Sequence, residues 1–158
     1  KVVTVVSLSS SSLHSSGSFS NSGPIPPVSD QKTTYTIQWN AKNSGSTIAD
    51  GVVLASLPIY VSYNDVTTGT GSFSYNSVSR IVTWNVGDIA QGANAQGSFQ
   101  VSLTPSTSQK GGAPELIGTA SFSGFDRFSG VKIQASADPS TTETKGDPGY
   151  INANAIVQ

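Results

Sequence analysis

The feature that most restricts this chain is a two-residue alternation of apolar and polar side chains along nearly its whole length. Over residues 33–40, Tyr35, Ile37 and Trp39 share one face, while Thr34, Thr36, Gln38 and Asn40 share the other. Residues 98–104 repeat the device, with Phe99, Val101 and Leu103 set against Ser98, Gln100, Ser102 and Thr104. Val82, Trp84 and Val86 fall on one side of a third run. Val131, Ile133, Ala135 and Ala137 fall on one side of a fourth, and Leu116, Ala120 and Phe122 share a face of another. Successive side chains of a strand point to opposite faces, so this period marks strands with one dry and one wet side. Residues 51–57 are apolar at almost every position, as in a central strand. No stretch carries a period of 3.6, so little or no helix is expected.

Turn-forming clusters punctuate the runs: Asn43-Ser44-Gly45, Gly69-Thr70-Gly71, Gly87-Asp88, Gly111-Gly112 and Ser129-Gly130. Residues 75–81 predict a hairpin. Many short strands separated by such signals describe a sandwich or barrel. The expected core is Tyr35, Ile37, Trp39, Leu54, Val82, Trp84, Phe99, Val101, Leu103, Phe122, Val131 and Ile133. Both ends carry strand-like segments, 1–8 and 150–157. A Ser-, Gly- and Pro-rich stretch over 9–30 reads as a tether for the first. The whole chain reads as one module.

Charge and composition exclude several functions. Eight Lys and Arg against nine Asp and Glu give a net charge of -1. That balance lacks the basic excess that phosphate binding needs, so no nucleic-acid partner is expected. The absence of Cys rules out a disulfide scaffold, a zinc ribbon and a thiol nucleophile, and a single His cannot build a multi-His metal site. The longest apolar run is about four residues, so no membrane insertion is expected of this segment.

Five motifs follow in order: Gly23-Pro24-Ile25-Pro26-Pro27, Thr33-Thr34-Tyr35-Thr36-Ile37-Gln38-Trp39, Leu57-Pro58-Ile59-Tyr60-Val61, Val82-Thr83-Trp84-Asn85-Val86-Gly87 and Phe99-Gln100-Val101-Ser102-Leu103-Thr104-Pro105-Ser106. In this order they resemble the immunoglobulin-like conserved-repeat modules of large bacterial cell-surface proteins, over nearly the whole chain. The resemblance implies an all-β, immunoglobulin-like Greek-key sandwich, expected here with about eight to ten strands. It implies an extracellular, cell-surface location and a structural or adhesive role, with no catalytic residues to carry over. Such modules commonly stand in long anchored chains, and a lone module without an anchor points to a small self-assembling subunit.

The candidate chemistry is sparse. The nine acids are scattered, and most sit at turn positions where Asp bonds its own backbone. A calcium site is open to loop carboxylates such as Asp126 with Asp138, because Ca²⁺ takes oxygens from distant loops; no other cofactor is expected. His14 has no acid near it in sequence, and with 28 serines a neighbouring Ser carries no information about a triad. Lys32 or Lys42, Asn152 or Asn154, and Glu115 are the residues available for an intramolecular Lys–Asn amide; the plainer reading is exposed lysines and edge asparagines. Tyr60, Tyr63 and Tyr75, with Phe73, are the candidate ligand-binding aromatics, which either stack on sugar rings or pack over the end of the sandwich.

The N-terminal strand carries the sharpest signal. Val2, Val3, Val5, Val6 and Leu8 form a short, apolar, nearly uncharged run without Pro, an aggregation hazard unless its backbone is paired. Either it completes its own sandwich, or it pairs with a neighbouring subunit by strand addition. Contacts of the second kind are head-to-tail and build a filament when they do not close. The sequence therefore predicts a non-enzymatic structural module whose partners are other copies of itself or adjacent modules of the same surface protein. The alternative is an adhesin module that recognises glycan or host protein through its loops.

Overall fold

Most alternating runs form the strand their period demands, but the one expected through Leu116, Ala120 and Phe122 is two strands, Glu115–Ile117 and Ala120–Asp126, in different sheets, because residues 118–119 leave the ladder. A computed structural model describes residues 5–158. Eleven strands lie among these residues: β1 (Val6–Leu13), β2 (Thr33–Asn43), β3 (Ile48–Ser56), β4 (Val61–Gly69), β5 (Ser72–Asn76), β6 (Ile81–Ile89), β7 (Asn94–Leu103), β8 (Glu115–Ile117), β9 (Ala120–Asp126), β10 (Lys132–Ala137) and β11 (Ser140–Thr141). One sheet has the order β1-β2-β7-β4, the other β10-β9-β3-β6-β5, and β8 and β11 form a small third sheet. The links from β2 to β3, β3 to β4, β4 to β5 and β6 to β7 all cross between the two large sheets. The result is an immunoglobulin-like Greek-key β-sandwich. The only helical pieces among the described residues are two short 3₁₀ turns, Thr107–Gln109 and Asn152–Ala155.

The apolar faces meet in one core. Trp39, Trp84, Tyr35, Phe99 and Phe122 are its largest fully buried side chains. Trp39 packs edge-on to Phe99 at 5.0 Å, and Trp84 stacks on Phe73 at 5.7 Å. Gly97 makes this contact available: a Cβ there would lie 2.8 Å from both the Phe73 and the Trp84 rings. The two indole N–H groups leave the core satisfied. Trp39 Nε1 donates to Ser10 Oγ at 3.0 Å and Trp84 Nε1 to the Thr70 carbonyl at 2.7 Å.

Two expected core residues lie outside. Leu54 is 42% exposed because β3 is apolar on both faces; Val53 and Ala55 take the inward parity. Val131 is 58% exposed because it precedes β10, in the turn that carries Gly130 at φ 72. Ile133 is half-buried against the core.

Both terminal segments also differ from expectation. The first strand does not stop at residue 8 and give way to a tether. It runs through Ser9–Ser12 to Leu13 and pairs antiparallel with β2 from Val6↔Asn43 to Leu13↔Thr36. A backbone ladder needs no apolar side chains to continue, and here the inward-facing Ser10 and Ser12 are satisfied by bonds to the 140–141 segment. The segment 150–157 is not a strand. It turns through Asn152–Ala155, burying Ala155 and Val157, and Val157 exchanges two backbone bonds of 2.9 Å with Gly111 and Gly112.

The strand registers define two poles. Residues 43–48, 87–93 and 126–131 lie at one, beside Val5; residues 57–60, 77–80, 104–114 and 150–158 lie at the other. The described chain therefore enters at one pole and ends at the opposite one.

Candidate functional site

Val6 is buried, Leu8 packs half-buried against the core, and Val5 is half-exposed, with its carbonyl taking the Ser44 N–H and Oγ–H, each at 3.0 Å. Val2 and Val3 lie outside the described residues. From Val6 onward the candidate assembly strand is thus an integral edge of its own sheet. Its inward-facing serines hold the closing segment: Ser10 Oγ bonds Ser140 Oγ at 3.0 Å and Ser12 Oγ donates to the Thr141 carbonyl at 2.6 Å. On the far side of the sandwich, β4 is bulged between Tyr63 and Thr67, with Asp65 at φ 56, and β5 is a five-residue uncharged edge. Bulges and short edges are common means of discouraging strand addition.

The candidate aromatics do not form one platform. Tyr63 and Tyr75 stack on each other at 5.0 Å with an interplanar angle of 17°, closing the gap between β4 and β5. Tyr63 also meets Phe99 at 5.9 Å. One face of each ring is thus spent on the other. Burial, with Asp65 adding a smaller effect, pushes the Tyr63 phenol pKa up, and its hydroxyl has no partner. Tyr60 lies apart at the C-terminal pole, in a groove beside Gln109 and Gly111–Pro114; burial and then Glu115 push its pKa up.

The other candidate chemistry is dispersed. Asp126 is buried and accepts the Phe128 and Ser129 N–H groups at 2.8 and 3.0 Å, a turn role. Asp138 lies past the far end of β10, so the length of the β9–β10 hairpin separates the two proposed calcium ligands. No cluster of three or more His, Asp or Glu stands among the described residues. Lys32, Lys42, Asn152 and Glu115 are exposed, which leaves no buried Lys beside an acid for the amide.

Sequence reasoning missed three features. Asp147 is the first. Its Oδ2 accepts the His14 and Ser15 N–H groups at 2.9 and 3.2 Å; its Oδ1 accepts the Ser16 N–H at 3.1 Å and Ser16 Oγ–H at 2.6 Å. Burial works to raise its pKa, but these donors together with Thr144 lower it overall. The His14 ring takes no part; its Nδ1 bonds the Thr34 carbonyl at 2.8 Å, so this is a latch and not a triad. Nothing in the sequence links two residues 133 positions apart. The second is Arg80, whose guanidinium donates to the carbonyls of Leu57 at 3.2 Å, Pro58 at 2.7 Å, and Val61. The third is the exposed apolar cluster at the N-terminal pole, where Phe125, Phe128 and Val131 are 45%, 93% and 58% exposed. A Phe inside a polar turn, where the alternation lapses, was its signal.

No family model and no curated protein matches the sequence. Solved structures do match. A variant of BcpA, the major pilin subunit of Bacillus cereus, superposes with a TM-score of 0.52 at 14% identity, covering 89% of this chain and 40% of that one. SpaD, a major pilin of Corynebacterium diphtheriae, superposes with a TM-score of 0.50 at 10% identity, covering 85% and 34%. The chain thus spans between a third and two fifths of these pilins, and what it shares with them is the sandwich. Among the described residues no helix is long and apolar enough to cross a membrane.

Proposed function

We propose that this chain is a non-enzymatic structural module of a bacterial surface protein, located outside the cell, whose partners are further copies of itself or adjacent modules of a filament or surface layer. The fold shared with two major pilins supports the class. The observation that carries the mode of contact is the polar layout. The described chain runs from one pole to the other, and the apolar side chains left in water are concentrated there: Phe128 at 93% and Val131 at one pole, Ile59 at 89% and Val78 at 93% at the other. Unlike surfaces at opposite ends associate head-to-tail, and such contacts propagate. The lateral sides offer less, since β10 and β11 lie against β1 and β4 is bulged. Assembly through the poles therefore replaces donation of the first strand as the working mechanism.

The test is light scattering and negative-stain microscopy of the purified protein over a range of concentrations, beside Phe128→Asp. Elongated species that grow with concentration and vanish in the variant, with an unchanged circular-dichroism spectrum, support the reading. A monomer at every concentration, or polymers indifferent to Phe128→Asp, refutes pole-to-pole contact.

A further inference from the structure

At the C-terminal pole an open groove of about 480 Å³ lies beside Tyr60, lined by Lys110, Gly111, Gly112, Ala113 and Pro114. Nothing in the chain itself fills the space over the two glycines. A side chain at Gly111 would meet nothing within 4 Å, and one at Gly112 only the Gln109 carbonyl at 3.4 Å. Backbone bonds hold the groove in shape. Gly111 N–H donates to the Val157 carbonyl and Val157 N–H to the Gly112 carbonyl, each at 2.9 Å, and Thr104 N–H donates to the Tyr60 carbonyl at 3.2 Å.

The opposite pole presents a convex counterpart. Phe128 is almost fully exposed on a turn that is fixed in advance. Besides the two N–H groups that Asp126 Oδ1 accepts, Gly130 N–H donates to the Asp126 carbonyl at 2.7 Å and Arg127 N–H to the Thr47 carbonyl at 2.9 Å. A preformed knob and a preformed groove keep the ordering cost of association low. An aromatic seated in a pocket is the kind of contact that carries most of the energy of an interface. The charges beside the two features match as well. Arg127 and Asp88 form an exposed ion pair at the Phe128 turn. Lys110 lines the groove and Glu115 acts on Tyr60, and both are exposed. One orientation sets Arg127 toward Glu115 and Asp88 toward Lys110; the reverse opposes like charges, so the pattern selects a register. Two Phe128 turns meeting each other would instead bring two convex surfaces together, with no cavity to fill.

We infer that the Tyr60 groove is the seat for the Phe128 turn of a second copy of this chain. The inference rests on the pole-to-pole reading and names the residues on the two sides of that contact. Each copy then carries one knob and one seat at opposite ends, as an open head-to-tail chain requires.

The test is sedimentation velocity on the unaltered protein, on Phe128→Asp, on Gly112→Glu, and on an equimolar mixture of the two variants. Gly112→Glu obstructs the groove, and Ala113→Glu serves in its place if circular dichroism shows that the first variant does not fold. Each variant alone is expected to need a concentration roughly tenfold or more higher to associate. The mixture is expected to form dimers and stop there. The intact groove of Phe128→Asp takes the intact turn of Gly112→Glu, and the dimer has no working end left. Polymers that vanish in Phe128→Asp but persist in Gly112→Glu overturn the inference and leave the pole-to-pole reading standing. A mixture that stays monomeric where the unaltered protein polymerises also overturns it. An unaltered protein that is monomeric at every concentration overturns both.

Discussion

The carboxylate of Asp147 receives three backbone N–H groups and the Ser16 hydroxyl, and this fastens the Ser-rich loop to the closing segment. Its pKa in the folded chain lies below the ordinary 3.8. A depressed carboxyl pKa stabilises the fold above the unfolded-state value, and that contribution is lost as pH falls below it. Asp147→Asn is therefore expected to be less stable than the parent at pH 7, with the gap narrowing under urea denaturation below about pH 4. Tyr63 gives the opposite expectation. Its hydroxyl is buried without a partner, so Tyr63→Phe should leave the urea midpoint unchanged or raise it. Gly97 is intolerant for a steric reason. An added methyl meets two aromatic rings at 2.8 Å, and Gly97→Ala should cost about 1–3 kcal/mol in chemical denaturation.

Two elements owe their place to side chains outside the core. The serine half of β1 is held by the β2 ladder, by Trp39 Nε1 on Ser10, and by the 140–141 segment. Removing residues 1–13 would strip a strand from the sheet and leave the Trp39 N–H without its acceptor. The truncated chain is expected to lose its cooperative thermal transition; a transition kept at the parent temperature would mean that β1 is dispensable. At the C-terminal pole Arg80 closes the β5–β6 hairpin at φ 60, a strained value for a residue with a side chain. Its guanidinium offsets this by fastening the 57–61 loop through three carbonyls. Arg80→Ala should cost about 2 kcal/mol, and Arg80→Lys should recover only part of it, because an ammonium lacks the planar fork.

For the molecule as a whole, the sandwich closes one lateral side with β1, β10 and β11 and leaves its most exposed apolar residues at the poles. Net charge of -1 puts little long-range repulsion between copies. Association driven by Phe128 and its neighbours should therefore strengthen in ammonium sulfate and weaken on cooling. Sedimentation velocity at two temperatures, with and without the salt, checks this. Assembly that dissolves in sodium chloride instead would point to ion pairs such as those available to the exposed Arg127 and Asp88.

Alternation by itself determined the strands, because side-chain direction in a strand follows from backbone geometry alone. Residues 33–43 and 94–103 were legible for that reason, as were the buried Tyr35, Trp39, Trp84 and Phe99. Where both faces were apolar, as at Leu54, or where polar residues continued a ladder, as at Ser9–Ser12, local pattern could not choose. The pairing partner decided. The latch at Asp147, the Arg80 clamp and the assignment of Phe128 to a pole came only from the tertiary structure. Each depends on segments far apart in the chain meeting at one end of the sandwich, and no local rule of spacing encodes which loops the sheets will bring together.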